Sequence, residues 1–293
     1  MRIQKTFKNN LPTIFLVTTP IGNMDDFSFR SIETLKNVDF IYCEDTRTSG
    51  ILLNKFEIKT KTGSLHKFNE LEKVDEIISR LRQNQNIALI SDAGVPCIND
   101  PGMYLLEKLS QDDSLDFNIS AVGAGPAYVH ALVMSSYFCQ KHFYIGFVDK
   151  KETKIISELQ EIVEYAKQGE RISVCLYESV HRIKKTLQII FDEFKNDPVK
   201  IAIAREITKI NEEIVRLSIN EIPDFLKNEE LVEKGEFCIV LNFDFQSDKK
   251  AIGEDEIISL AKSLVEQGLK KKEALKQLRR EYEFDMDKIY KIL

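Results

Sequence analysis

Along the first half of the chain, short β-branched runs alternate with longer stretches of helical period. Residues 13–18 read as a strand and 29–36 as the helix after it, while 38–43, 87–91 and 117–122 read as further strands. Each is nearly continuous in apolar residues, the pattern of a parallel sheet with helices over both faces. The intervening helices are expected to begin near Thr46, Asn69, Met103 and Pro126. After a strand at 143–148 the run DKKETK reads as a solvated linker into a helix. Residues 171–177, 199–204, 213–219 and 236–243 read as strands, with a helix over 181–195 and a short one after Pro223. Strands adjacent in sequence without a helix between them predict a mixed sheet. The polar run QSDKKAIGE then leads to short helices at 255–267, 270–282 and 285–293. The expected class is α/β: a parallel-sheet domain over 1–145, a mixed-sheet domain over 146–246, and a helical module over 254–293.

Composition agrees with two ordinary domains. The 293 residues are 43% hydrophobic and 30% charged, a globular balance. The opening MRIQKTFKNNLP carries basic residues but no apolar run of signal-peptide length, and no later stretch is long and uncharged enough to span a membrane. A cytoplasmic protein with no membrane partner is expected. Cys43, Cys97, Cys139, Cys175 and Cys238 are far apart and never form Cys-x-x-Cys, which argues against a disulfide framework and against a zinc site. The formal charge of −6 looks wrong for a nucleic-acid binder until it is mapped. Lys270, Lys271, Lys272, Lys276, Arg279 and Arg280 cluster around the single acid Glu273. Helical spacing puts residues 272, 276, 279 and 280 close to one face and lets Ala274, Leu275 and Leu278 pack inward. That face suits phosphate contact; a solvated charged helix is the plain alternative.

In open parallel sheets, ligands bind at the carboxyl ends of the strands. The segments there are distinctive: TPIGN at 19–23, EDTR at 44–47, LHKFNE at 65–70, SDAGVPCINDPG at 91–102 and GAGPAY at 123–128. Any one glycine among them could serve only a turn. Together Gly22, Gly94, Gly102, Gly123 and Gly125 would let a ligand approach the backbone closely. The pair Gly123 and Gly125 lacks the third glycine of a dinucleotide fingerprint, because Tyr128 takes that place, and no P-loop, H-E-x-x-H or G-x-S-x-G is present.

With FYIGF at 143–147, YESVHR at 177–182, ARE-TK at 204–209, Glu212 with Glu213, and KGE at 234–236, these segments resemble the ribosomal RNA small subunit methyltransferase I group of the tetrapyrrole-methylase superfamily. The resemblance spans nearly the whole chain. It implies two α/β domains with a cofactor cleft between them and a C-terminal module like a helix-turn-helix. It also implies transfer of a methyl group from S-adenosylmethionine to the ribose 2′-hydroxyl of a cytidine in the decoding region of 16S ribosomal RNA. The substrate would be the small ribosomal subunit and the enzyme a homodimer. By matching positions, the cofactor would meet Leu16, Pro20, Asp92, Gly94, Val95, Ala127, Tyr177 and Ala204.

Such a transfer needs alignment rather than a metal, but some group must take or orient the hydroxyl proton. Glu44, Asp45, Arg47, His66 and Glu70 stand beside the expected cleft. Asp45 could instead cap the helix at Thr46, and Glu44 could pair with Arg47. His66 follows a strand and is of a type that titrates near neutral pH. His181 and Arg182, expected to open a helix, could hold a backbone phosphate there. The chain departs from the family pattern at Ala124, Val95 and Val180, which shape backbone, and at Phe68, which leaves His66 as the only histidine in its motif. Two rivals stand beside the ribose methyltransferase: a methylase of tetrapyrrole precursors, which would have no use for the basic helices, and an RNA-binding assembly factor without activity.

Overall fold

A computed structural model describes the protein over residues 1–245, 250–278, 282–284 and 286–293. The chain opens with β1 (Arg2–Lys5) and then builds a first sheet from β2 (Thr13–Val17), β3 (Phe40–Cys43), β4 (Thr62–Ser64), β5 (Ile87–Ile90) and β6 (Asn118–Val122). Its order is β4-β3-β5-β2-β6 and every pairing is parallel. Helices α1 (Phe29–Asn37) and α2 (Thr46–Lys55) cover one face through Leu35, Leu52 and Leu53 against Val17, Ile41 and Val122. Helices α3 (Val74–Arg82), α4 (Met103–Ser110) and α5 (Ala127–Met134) cover the other through Ile77, Leu105 and Leu132 against Leu16, Leu89 and Ala121.

The strand expected before His66, for which the sequence offered no bounds, is β4, only three residues long, TGS. Helix α3 begins at Val74 rather than near Asn69. Asn69 is held elsewhere: its Oδ1 accepts from the His66 amide at 2.8 Å, at the head of the turns over 67–73.

The second sheet runs β1-β10-β9-β11-β8-β7, with β7 (Lys141–Phe147), β8 (Ile172–Glu178), β9 (Val199–Arg205), β10 (Glu213–Ser218) and β11 (Phe237–Phe243). Only β7 and β8 are parallel; all other neighbours are antiparallel, so the sheet is mixed as expected. Helices α6 (Glu152–Lys167), α7 (Ile183–Phe194) and α8 (Ile222–Lys227) pack on one face. Strand β7 belongs to this sheet, so its first residue, Lys141, already lies in the second unit, short of the expected boundary at 145. The polar DKKETK run marks the turn from β7 to α6 inside that unit, not a passage between units. β1 also lies in the second sheet, so residues 2–5 leave the expected first domain.

One helix joins the two sheets. In α5 every residue from Val129 to Met134 is buried, His130 included, so the helix is covered on all sides. One side of it packs on the first sheet and the other on Cys175, Ala202, Ala204, Cys238 and Val240 of the second, a face of mostly small residues that lets the helix approach closely. Four of the five cysteines are buried and unpaired, two of them on this face. Polar bonds lock the same seam. The buried Arg216 guanidinium donates to the carbonyls of Met134 at 2.5 Å and Ser135 at 3.1 Å, where α5 ends and a cation is favoured. Burial lowers its pKa to about 10, so it stays charged at neutral pH. Gln4 of β1 donates to the Ile119 carbonyl at 2.7 Å and accepts from the Ile119 amide at 3.1 Å, acting as a strand partner on the open edge of β6.

The C-terminal module has its own core of Ile257, Ala261, Leu275, Leu278 and Ile289. It comprises α9 (Glu254–Glu266), α10 (Lys271–Leu278) and α11 (Met286–Ile292), with β12 (Lys250–Ala251) paired in parallel to β13 (Tyr282–Glu283). Tyr282 therefore lies in a strand, outside the helix expected to reach it. No described helix is long and apolar enough to cross a membrane.

Replacing Arg216 with methionine keeps the apolar stem but leaves the Met134 and Ser135 carbonyls without their donor. Chemical denaturation should register a loss of about 3 kcal/mol; an unchanged midpoint would show that the seam does not depend on this bond.

Candidate active site

The carboxyl ends of β2, β3 and β5 are tied into one surface by their own backbone and short polar side chains. The Thr19 amide donates to the Gly94 carbonyl at 2.9 Å and the Gly94 amide returns the bond at 3.1 Å, an isolated bridge between two strand-end loops. Thr19 Oγ1 donates to the Ser91 carbonyl at 3.1 Å. Gly94 has φ +86°, a conformation that favours glycine. Asp92 accepts the Asp45 amide at 3.2 Å and so joins the β5 loop to the β3 loop.

Asp45 is the N-cap of α2, as its plainer reading held. Its Oδ1 accepts the Arg47 amide at 2.8 Å, and the Arg47 guanidinium bonds Oδ1 at 3.1 Å and Oδ2 at 2.7 Å. Those bonds hold the Asp45 carboxyl down at about 2 and raise the Arg47 pKa. Arg47 thus pairs with Asp45, not with Glu44. Glu44 moves the other way: burial, then the nearby Asp100 and Asp92 carboxylates, raise its pKa. Asp100 is raised too, first by burial and then by Asp92, against a lowering bond from Ser91.

Glu70 holds structure. Its Oε1 accepts the amides of Gly102 at 2.9 Å and Leu105 at 2.8 Å, filling the start of α4, which has no capping side chain of its own. His66 lies in the turn after β4, with Nδ1 buried and without a hydrogen-bond partner among the described residues. Phe68 sits edge-on to it at 6.2 Å and is 91% exposed.

Across the cleft, a cavity of about 560 Å³ is lined by Ala127 at the start of α5 and by Phe147, Tyr177, Ser179, His181 and Cys238 of the second unit. Tyr177 Oη accepts the Tyr128 amide at 3.0 Å, pinning the first turn of α5 to β8. Tyr128 stacks on Tyr144 at 4.1 Å, and Tyr144 and Phe147 meet Tyr177 edge-on at 5.3 and 5.5 Å. Tyr177 was expected at the cofactor and FYIGF stood among the family motifs, but the packing of the two was not read in the sequence; a bulge between Tyr144 and Gly146 re-aims the side chains. Ala204 lies beneath the cavity, in register with the lining Cys238. Leu16 is fully buried in β2 and Val95 packs on the same core, so both support the loops from below.

His181 is exposed at the cavity, but α7 begins only at Ile183, so the expected helix-opening phosphate site is a turn. Arg182 is held internally: its guanidinium bonds Glu178 at 2.7 Å and the carbonyls of Val148 and Asp149 at 3.3 and 3.2 Å. In the terminal module Lys270, Lys271 and Lys272 are exposed while Ala274, Leu275 and Leu278 are buried, as the helical spacing predicts. Lys276 lies on α10, and Arg279 and Arg280 fall outside the described residues.

A cleft between two α/β units, walled by aromatics and strand-end backbone, defines a small-molecule cofactor site rather than a phosphate loop. The chain belongs to the tetrapyrrole (corrin/porphyrin) methylases, whose family model matches residues 13–223. Within that family it is similar to ribosomal RNA small subunit methyltransferase I of Streptococcus pyogenes, 34% identical over 99% of this chain and 98% of the relative. The protein of the same name from Synechocystis is 32% identical over 95% of this chain and 96% of its own, and that from Bacillus subtilis 34% over 87% and 83%. The resemblance read from the loop motifs therefore holds, and the methyl donor is S-adenosylmethionine. The cleft fits such a molecule: Thr18 Oγ1 is buried with no partner among the described residues, and Gly125, at φ +79°, faces open space where a Cβ would stand.

Glu70→Ala should cost about 1 kcal/mol in thermal or chemical denaturation by uncapping α4. Asp92→Ala should weaken S-adenosylmethionine binding measured by calorimetry, through release of the β3 loop; equal affinity would remove Asp92 from the site.

Proposed function

We propose that this enzyme methylates the ribose 2′-hydroxyl of a cytidine in the decoding region of 16S ribosomal RNA. It does so on the small ribosomal subunit, in the cytoplasm, as a homodimer. The observation that carries the reading is likeness to ribosomal RNA small subunit methyltransferase I over 99% of the chain, basic terminal module included.

Bound S-adenosylmethionine supplies an already reactive sulfonium methyl group. The chain's task is placement and proton management. Pro20, Gly94 and Ala127 offer backbone to the cofactor, Asp92 braces the loops, and Tyr177 closes the second wall. Leu16, Val95 and Ala204 keep that surface rigid. Of the groups beside the cleft, Asp45 is too acidic to accept a proton near neutral pH and Glu70 is engaged by α4. Glu44, its pKa raised by burial and neighbouring carboxylates, is the better matched acceptor. His66 stands one strand further out and orients the substrate. Lys270, Lys271, Lys272 and Lys276 hold RNA phosphates, with base identity read from splayed nucleotides in the cleft.

Incubation with methyl-labelled S-adenosylmethionine and unmodified small subunits, with naked 16S RNA and a tetrapyrrole precursor alongside, should label one ribose hydroxyl. Label on the tetrapyrrole alone would overturn the RNA reading, and subunit binding without label would make the protein an assembly factor. The transfer rate should fall as pH drops through the Glu44 carboxyl, because only the charged form accepts a proton. That limb should lie above the ordinary carboxylate range. Glu44→Gln should remove it and slow transfer by roughly 10²–10⁴-fold with cofactor affinity kept; an unchanged pH profile would exclude Glu44.

A further inference from the structure

A second cavity, of about 300 Å³, opens beside the cofactor cavity and shares Gly235 with it. Ion pairs built from sequence motifs that the methyl-transfer scheme leaves unused surround it. Arg205 pairs with Glu213 at 3.2 Å and donates to the Lys234 carbonyl at 3.3 Å. Lys209 bridges Glu206 and Glu236 at 2.9 and 3.0 Å. At Gly235, φ is +92° and a Cβ would lie 2.5 Å from Glu206 Oε1, so the turn carrying Lys234 is fixed.

The rim differs from these pairs. Lys8 and Lys234 line the cavity, are exposed, and have no ion-pair partner among the described residues. Lys5 reaches Glu213 only at 3.9 Å. Arg30, at the start of α1, lies over the Phe7 ring at 5.9 Å and within electrostatic reach of the cavity-lining Glu212. Phe7 is 39% exposed and Phe29, beside Arg30, 90%. Unpaired cations interleaved with exposed rings, next to a cofactor cleft, are the features of a single-stranded nucleic-acid track.

We propose that Lys8, Arg30 and Lys234, with Phe7 between them, form an RNA-binding rim that carries the substrate's phosphodiester backbone past the mouth of the cofactor cleft. The inference rests on the RNA-methyltransferase reading and adds a contact surface on the body of the enzyme, separate from the terminal module. It assigns a role to the segment after β1, whose Lys8 shares the cavity with Lys234.

The test is equilibrium binding of the full-length protein to naked 16S RNA and to unmodified small subunits over a salt series, comparing wild type with the double variant Lys8→Glu, Lys234→Glu. Lys195→Glu, at the far end of α7, serves as control. The double variant should bind both RNA forms at least about tenfold more weakly and lower the salt slope by about two, while S-adenosylmethionine affinity stays at the wild-type value. Wild-type affinity and slope in the double variant, or an equal loss in the control, would overturn the rim. A loss with subunits but none with naked RNA would assign it to a ribosomal protein and overturn it likewise. Failure of the wild type to bind either RNA form would instead reject the RNA reading itself.

Discussion

The packing of α5 between two sheets is the constraint on which the rest depends. A helix whose residues 129–134 are all buried, apolar but for His130, cannot sit at a surface, and α5 finds its second cover in the small-residue face of the second sheet. Small side chains at 175, 202, 204 and 238 bring that sheet close enough for Tyr177 to bond the first turn of the helix. The cleft is therefore a by-product of tight packing: its two walls are held at one distance by a helix whose N-terminal residue, Ala127, is itself part of the lining. Bonds at the other end, from Arg216 and Gln4, keep the units from sliding along the same seam.

Electrostatics sort the acidic residues at the strand ends into different roles. Asp45 and Glu44 are neighbours in sequence, yet one carboxyl is pulled down by Arg47 and the other raised by burial beside Asp100 and Asp92. Divergent proton affinities in one small region are what proton transfer requires. Glu70 shows the opposite outcome, a carboxylate near the site whose hydrogen bonds serve a helix end.

Much of the fold was legible because most of its strands are nearly continuous apolar runs, covered on both faces. The parallel first sheet, the mixed second sheet and the inward face of α10 all follow from periodicity. The unread parts have physical reasons. β1 is charged at both ends and carries no apolar run, and the three-residue β4 was expected before His66 but without bounds. The β7 boundary was misread because a polar run between a strand and its own helix looks like a run between domains. Within the site, strand-end loops were visible as motifs, but the partners of Arg47 and Arg182 were not, since both depend on which acid the folded backbone brings near. The aromatic wall depends on a bulge, which leaves no mark in composition.

The second sheet is closed by the first strand of the chain. β1 pairs with β10, register by register from Arg2 opposite Arg216 to Lys5 opposite Glu213. On a ribosome, β1 is made well before its partner and must wait until residues 213–218 have followed, roughly ten to forty seconds at ordinary synthesis rates. The parallel sheet can fold in that interval, with the Gln4 side chain already able to engage the β6 edge. The active cleft thus cannot be completed before Cys238 has been made: its second wall is assembled after its first, around a strand made long before its partner.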